Sequence, residues 1–167
     1  MQKLTTIIVL LIVSITLTNG QNMTTREVKK IADKFVEKLN AKNLEIHNII
    51  ISDFTDGKVA PTEFGRFLAE EFSYYISDLD DEKFTVLDRS KLELLLKEQG
   101  LIRDELIDPL SVVKLGKLKG MKYLMYGTII DAGESYRVFV KLLEVETHKI
   151  IVSSRGNISK VPSLPKH

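Results

Sequence analysis

From residue 122 onward the chain reads as one strand after another, with no helical period between them. The stretches 122–131, 135–146 and 149–158 are separated only by "DAGES" and "ETHK", both short enough for hairpin turns. Three strands joined this way are expected to form an antiparallel meander. A meander buries its apolar side only against something else, so whatever precedes it must supply cover.

Upstream, helical and strand periods alternate. Val28, Ile31, Ala32, Phe35, Val36 and Leu39 fall on one face of a helix over 24–42, and "TTRE" offers a capping box from Thr24 and Glu27. Residues 46–54, "IHNIIISDF", form a nearly continuous apolar run that suits a central strand. "TDGKVAPT" then turns the chain. A helix over about 62–77 places Phe64, Phe67, Leu68, Phe72, Tyr75 and Ile76 on one side, and the acidic turn "DLDDEK" leads into a strand at 84–88. Ser90 and Glu93 make a second capping box for a helix to about Gln99. Asp108-Pro109 opens another helix that closes at Lys119-Gly120. Gly116 inside it is expected to let a neighbour approach, with Lys117 and Lys119 facing water. The order α-β-α-β-α-α-β-β-β predicts a mixed α/β sheet: parallel strands joined by helices, ending in an antiparallel three-strand meander.

The N-terminal "MQKLTTIIVLLIVSITLTNG" has Lys3, an apolar stretch over 4–17, and small residues at Thr18 and Gly20. That is the pattern of a secretory signal peptide over 1–20 cut before Gln21, and its apolar run of 14 residues is short of the roughly 20 a bilayer span needs. The expected organisation is a signal peptide at 1–20, a single domain over 21–160, and a flexible tail, "VPSLPKH", at 161–167. No transmembrane span is expected after cleavage. Removing residues 1–20 leaves 23 basic and 23 acidic side chains, a balance that argues against broad neutralisation of nucleic acid. There is no cysteine, which excludes disulfides, thiolate metal sites, a cysteine nucleophile and a lipidated N-terminal cysteine.

Chemical motifs are sparse. His47, His148 and His167 show no metal-ligand spacing, and nucleophile elbows and phosphate-binding glycine loops are absent. No catalytic residue, cofactor or metal is expected. "DLDDE" at 78–82 lacks the alternating ligands and distal glutamate of a calcium loop and reads as an acidic turn. Asp53, Thr55 and Asp56 follow the first strand, at the end where α/β sheets place ligands. They form the candidate ligand or partner loop, although a plain Asp-Gly turn explains them too. Tyr74-Tyr75 and the Tyr123/Tyr126 pair suit either an aromatic platform or half-buried packing. Asp88, Arg89, Ser90 and Glu93 mark a strand-to-helix junction, a structural joint at which Asp88 can accept from free helix-start amides. A hydrolase would require the fold to gather Glu70 and Glu71 beside Asp53 or Asp88.

Several stretches together resemble a family of bacterial envelope proteins that includes the curli secretion component CsgG, the holdfast protein HfaB and the flagellar-associated FlgO. They are "IIISDFTD", "GRFLAEEFSYYI", "KFTVLDRSKLELLLKEQGL" and "LIDPLSVVKLGKLKGMKYLMYGTIIDAGESYRVFVKLLEVETHKII", spanning about residues 46–152. The resemblance implies an exported domain, periplasmic or associated with the outer membrane, that works by assembly and binding rather than catalysis. Its partners would be envelope proteins or copies of itself. Two departures stand out. The curli-type members are lipoproteins, and this chain has no cysteine to carry the lipid. Their pores need inserted membrane-spanning hairpins, and no such insertion occurs here. The family also includes activators of cell-wall synthases, so regulation of such an enzyme stands as an alternative, beside a periplasmic small-molecule or glycan-binding module.

Overall fold

A computed structural model describes residues 25–42, 49–57, 61–78, 85–101, 107, 109–119 and 121–160. In chain order the elements are helix α1 (25–40), strand β1 (Ile49–Ile51), α2 (Glu63–Ser77), α3 (Arg89–Glu98), α4 (Pro109–Lys119), β2 (Tyr123–Asp131), β3 (Ser135–Glu144) and β4 (Ile150–Ser159). The sheet order is β1-β2-β3-β4, with β1 parallel to β2 and an antiparallel meander beyond. The mixed sheet expected from the sequence is present.

The sheet's apolar positions alternate, so one face packs against α1 and α2 and the other against α3 and α4 on its β1–β2 side. On one face Ile49, Ile51, Met125, Val138, Val140 and Leu142 pack against α1 and α2. There α1 contributes all six of its predicted core positions, and α2 contributes Leu68, Ala69, Phe72 and Ile76. Phe67 departs from expectation: it stands 40% exposed, stacked at 6.1 Å on half-buried Phe64. On the other face Ile50 and Leu124 pack against Leu92 and Leu96 of α3 and Val112 and Leu115 of α4. Gly116 does admit a neighbour, since a Cβ there would lie 3.2 Å from Val145.

Helix α1 is tied to the edge strand by polar contacts as well as packing. Both Glu27 carboxylate oxygens accept from Ser159, one from its N–H and one from its hydroxyl, each at 2.8 Å. Lys38 Nζ donates to the Ser153 carbonyl at 2.8 Å, and the Ser154 hydroxyl donates to the Ile31 carbonyl. The Thr24 half of the expected capping box, like the 1–20 segment and the 161–167 tail, lies outside the described residues.

Two expected strands end earlier than predicted. Of 84–88, the described part forms one parallel bridge: Ile49 N–H donates to Thr85 O at 2.8 Å and Leu87 N–H to Ile49 O at 3.0 Å. The next residue, Asp88, already caps α3, which ends the pairing on that side. Of 46–54, residues 46–48 lie outside the described residues, and the strand stops at Ile51 because later amides find other partners. Asp53 N–H donates to Ile107 O and Phe54 N–H to Gly65 O; Thr55 then returns to β2 through Gly127 O.

Candidate functional site

The end of β1 is where the sequence places a ligand loop, and the residues there do unlike things. Asp53 is fully buried. Its N–H donates to the Ile107 carbonyl at 2.8 Å, and its carboxylate Oδ2 accepts from the Ile107 N–H at 2.6 Å. This two-point clamp satisfies both backbone groups of a buried residue just ahead of α4. Thr55, 7% exposed, bridges Pro61 on one side and Thr128 on the other. Of the three predicted residues, Asp56 alone faces solvent. Asp53 and Thr55 therefore sit within the sheet end, and Asp56 at its rim.

Phe54 between them organises the same region. Its ring lies 5.3 Å from Phe72 and is fully buried. It leaves no room for side chains at two glycines: a Cβ at Gly127 would lie 2.2 Å from the ring, and one at Gly65 would lie 1.9 Å from the Phe54 carbonyl oxygen. Sequence reading singled out Asp53 and passed over Phe54 and Ile107. No local pattern announces a contact between residues 54 positions apart.

The joint at residues 88–93 is a helix start. Asp88 is the N-cap of α3: its Oδ1 accepts from the Lys91 N–H at 3.1 Å and from the Ser90 hydroxyl. Those two bonds, the Ser90 hydroxyl foremost, hold the Asp88 carboxyl below its usual range. Ser90, expected as the cap, sits one residue inside the helix and supports Asp88 instead. Glu93 is half-buried in the following turn. The side chain of Arg89 lies outside the described residues, so its suggested pairing with Glu70 or Glu71 does too. Beside Glu70, the crevice formed with Ile51, Ala69, Ser73 and Leu87 is about 10 Å³, the room of about one water. The Asp53 carboxylate is turned to Ile107.

The tyrosine pairs separate in the same way. Tyr74 and Tyr75 meet edge to face at 5.4 Å, and burial pushes the Tyr75 hydroxyl up. Tyr123 and Tyr126, three residues apart on a strand, fall on opposite faces and form no platform. Among the described residues no group of His, Asp or Glu is placed to hold a metal ion, and no helix is long and apolar enough to cross a membrane.

Over residues 55–138, half of the chain, the sequence matches the family described as curli production assembly/transport component CsgG. The chain belongs to the CsgG family. This membership supports an envelope accessory role as the coarse functional reading. Solved structures agree on the fold. The LpoB C-terminal domain from Escherichia coli superposes with a TM-score of 0.59 at 17% identity, covering 78% of this chain and 96% of that one. The corresponding domain from Salmonella enterica gives 0.53 at 18% identity over 80% and 96%. The NMR structure of E. coli LpoB gives 0.60 at 14% identity over 80% and 68%. No curated protein matches the sequence.

Proposed function

We propose that this chain is an exported, non-enzymatic accessory or assembly protein of the bacterial envelope, acting by association with envelope proteins or with copies of itself in the service of a flagellar, curli-type or related surface structure. The observation that carries this reading is the family match over residues 55–138, to a description that is itself one of assembly and transport. The site chemistry is in keeping with it. Asp53, Thr55, Phe54 and Asp88 are committed to holding elements together, and the surface is left to do the recognising. The apolar segment at 4–17 supports export, to a periplasmic or outer-membrane-associated location, and the sequence holds no cysteine that could carry a lipid.

Cell fractionation followed by cross-linking pull-down tests the proposal, together with mass in solution. Capture of a surface-structure component, or self-association, is the expected outcome. A strict monomer that captures no envelope protein overturns it. Capture of a cell-wall synthase moves the assignment to the regulatory alternative. A rise in melting temperature with an envelope glycan or small molecule, abolished by Asp56→Ala, moves it to a binding module.

A further inference from the structure

The meander exposes a patch with an unusual charge pattern. On the face away from α1, the registers align Tyr126–Lys141–Ser153, Thr128–Phe139–Arg155 and Ile130–Arg137–Asn157 in three rows. Three of these positions are cations and none is an acid. Arg155 lies diagonal to both Arg137 and Lys141, within the roughly 7–8 Å reach of such neighbours. Like charges so arranged repel, and no carboxylate on the patch offsets them.

A second basic row meets this patch at the sheet edge. Lys38 reaches the β4 edge at Ser153, and Glu27 reaches it at Ser159, so this flank of α1 runs along β4. Lys34 lies one heptad after Glu27 and one turn before Lys38, and Lys42 lies one turn after Lys38. All three lysines are exposed, and like charges at i, i+4 disfavour a helix. The helix dipole favours cations near the C-terminal turn, but it gives no account of Lys34 or of the sheet cations. Two shallow grooves join the rows. One of about 320 Å³ runs between Lys38, Lys141 and Arg155, and one of about 290 Å³ runs between Lys38 and Lys42. Among the described residues none of the six cations forms an ion pair, in a molecule with nearly as many acids as bases.

We propose that this basic face around the β4 edge docks the protein on anionic phospholipid headgroups. Four of the six cations are lysines, which meet phosphate as point charges without demanding one planar geometry. The face also carries apolar groups: Phe139 is half-buried at its centre, and Ile130 and Ile150, 47% and 51% exposed, stand at its ends. Cations interleaved with exposed apolar side chains match the headgroup zone of a charged bilayer, where phosphate and acyl boundary lie within a few ångströms. A soluble polyanion would use the cations alone. The docking does not depend on which protein partner, if any, the chain binds.

Co-sedimentation with phosphatidylcholine vesicles, with and without phosphatidylglycerol, tests this. The expected result is binding that needs the anionic lipid and fades as salt shortens the screening length. Each removed cation weakens it about fivefold, so Lys34→Glu, Lys38→Glu and Arg155→Glu, which also add three negative charges, together cost more than about a hundredfold. The matched triple variant Lys97→Glu, Lys114→Glu and Lys117→Glu on the other helices changes net charge equally and retains binding. Thermal melts confirm that both triple variants are folded, and Lys→Gln replacements provide a milder series. Absence of binding, equal binding to neutral vesicles, or equal loss in both triple variants overturns the proposal. So does displacement from vesicles by polyglutamate at matched charge, which assigns the face to an acidic polymer. None of these outcomes bears on the pull-down above, so the two proposals fail separately.

Discussion

Phe54 shows how one side chain dictates its neighbours. Gly127→Ala sets a methyl against the Phe54 ring, and overpacking of that kind costs about 1–3 kcal/mol. In a Phe54→Ala background the ring is gone, and most of that penalty should vanish. Gly65→Ala behaves differently, because its clash is with the Phe54 carbonyl oxygen and survives removal of the ring. Denaturant titrations of the single and double variants separate the two cases; simple additivity of Gly127→Ala with Phe54→Ala would contradict the packing described. Asp53 supplies a second residue-scale prediction. Asp53→Ala leaves the buried Ile107 N–H without its acceptor, a loss of about 1–3 kcal/mol, while Asp53→Asn keeps an oxygen there and costs less. Faster hydrogen exchange at the Ile107 amide in the alanine variant is the specific readout.

At the scale of elements, acid should loosen two termini. The Asp88 carboxyl is held low by the Ser90 hydroxyl and the Lys91 amide, and the Asp131 carboxyl by Lys160 and the Gly133 amide. A carboxyl whose folded value is depressed adds stability above its unfolded value of about 3.9. That contribution disappears as pH falls from there through the folded value. Helix α3 should therefore fray at its start, and the β2–β3 turn loosen, only below about pH 4. Asp88→Asn should flatten that acid response as followed by NMR of the α3 amides; an unchanged response would show that the cap contributes nothing there. The neighbouring Ser90 explains why the sequence offers two caps, Asp88 accepting from helix-start amides and Ser90 with Glu93 as a capping box. Asp88 and Ser90 are both good caps, and "SKLE" satisfies the capping-box pattern, so only backbone conformation chooses between them.

At the scale of the molecule, two cores share one thin sheet. Ile49 and Ile51 point into the cluster under α1 and α2, and Ile50 between them points into the cluster under α3 and α4. Neither cluster can melt while β1 stays in place, so unfolding should be a single transition. Leu96→Ala, in the smaller cluster, should lower stability by about 2–5 kcal/mol and shift far-ultraviolet and tyrosine signals together. Separate transitions for the two signals would contradict that coupling. Charge is divided at the same scale: the near-neutral total conceals an edge that is basic because, among the described residues, none of its six cations forms an ion pair.

Periodicity in the sequence located the helices and the meander strands of this protein. Helices and strands arose where residues such as Val28–Leu39 or Leu92–Leu96 repeat at their own period, because burial of one face depends on local spacing. The stretches "IIISDFTD" and "KFTVLDRSKLELLLKEQGL" carried the family likeness as well. Tertiary structure decided what depends on separation in space rather than along the chain. It turned Asp53 inward to Ile107, made Phe54 the reason for Gly65 and Gly127, and ended the strand at 84–88 where Asp88 caps α3. It also set Lys38 beside Lys141 and Arg155, more than a hundred residues away, and Lys42 beside Ile151 and Ser153 at the same strand edge. Charges so distant in sequence become one surface only when the sheet and α1 pack, and no summed charge can record that.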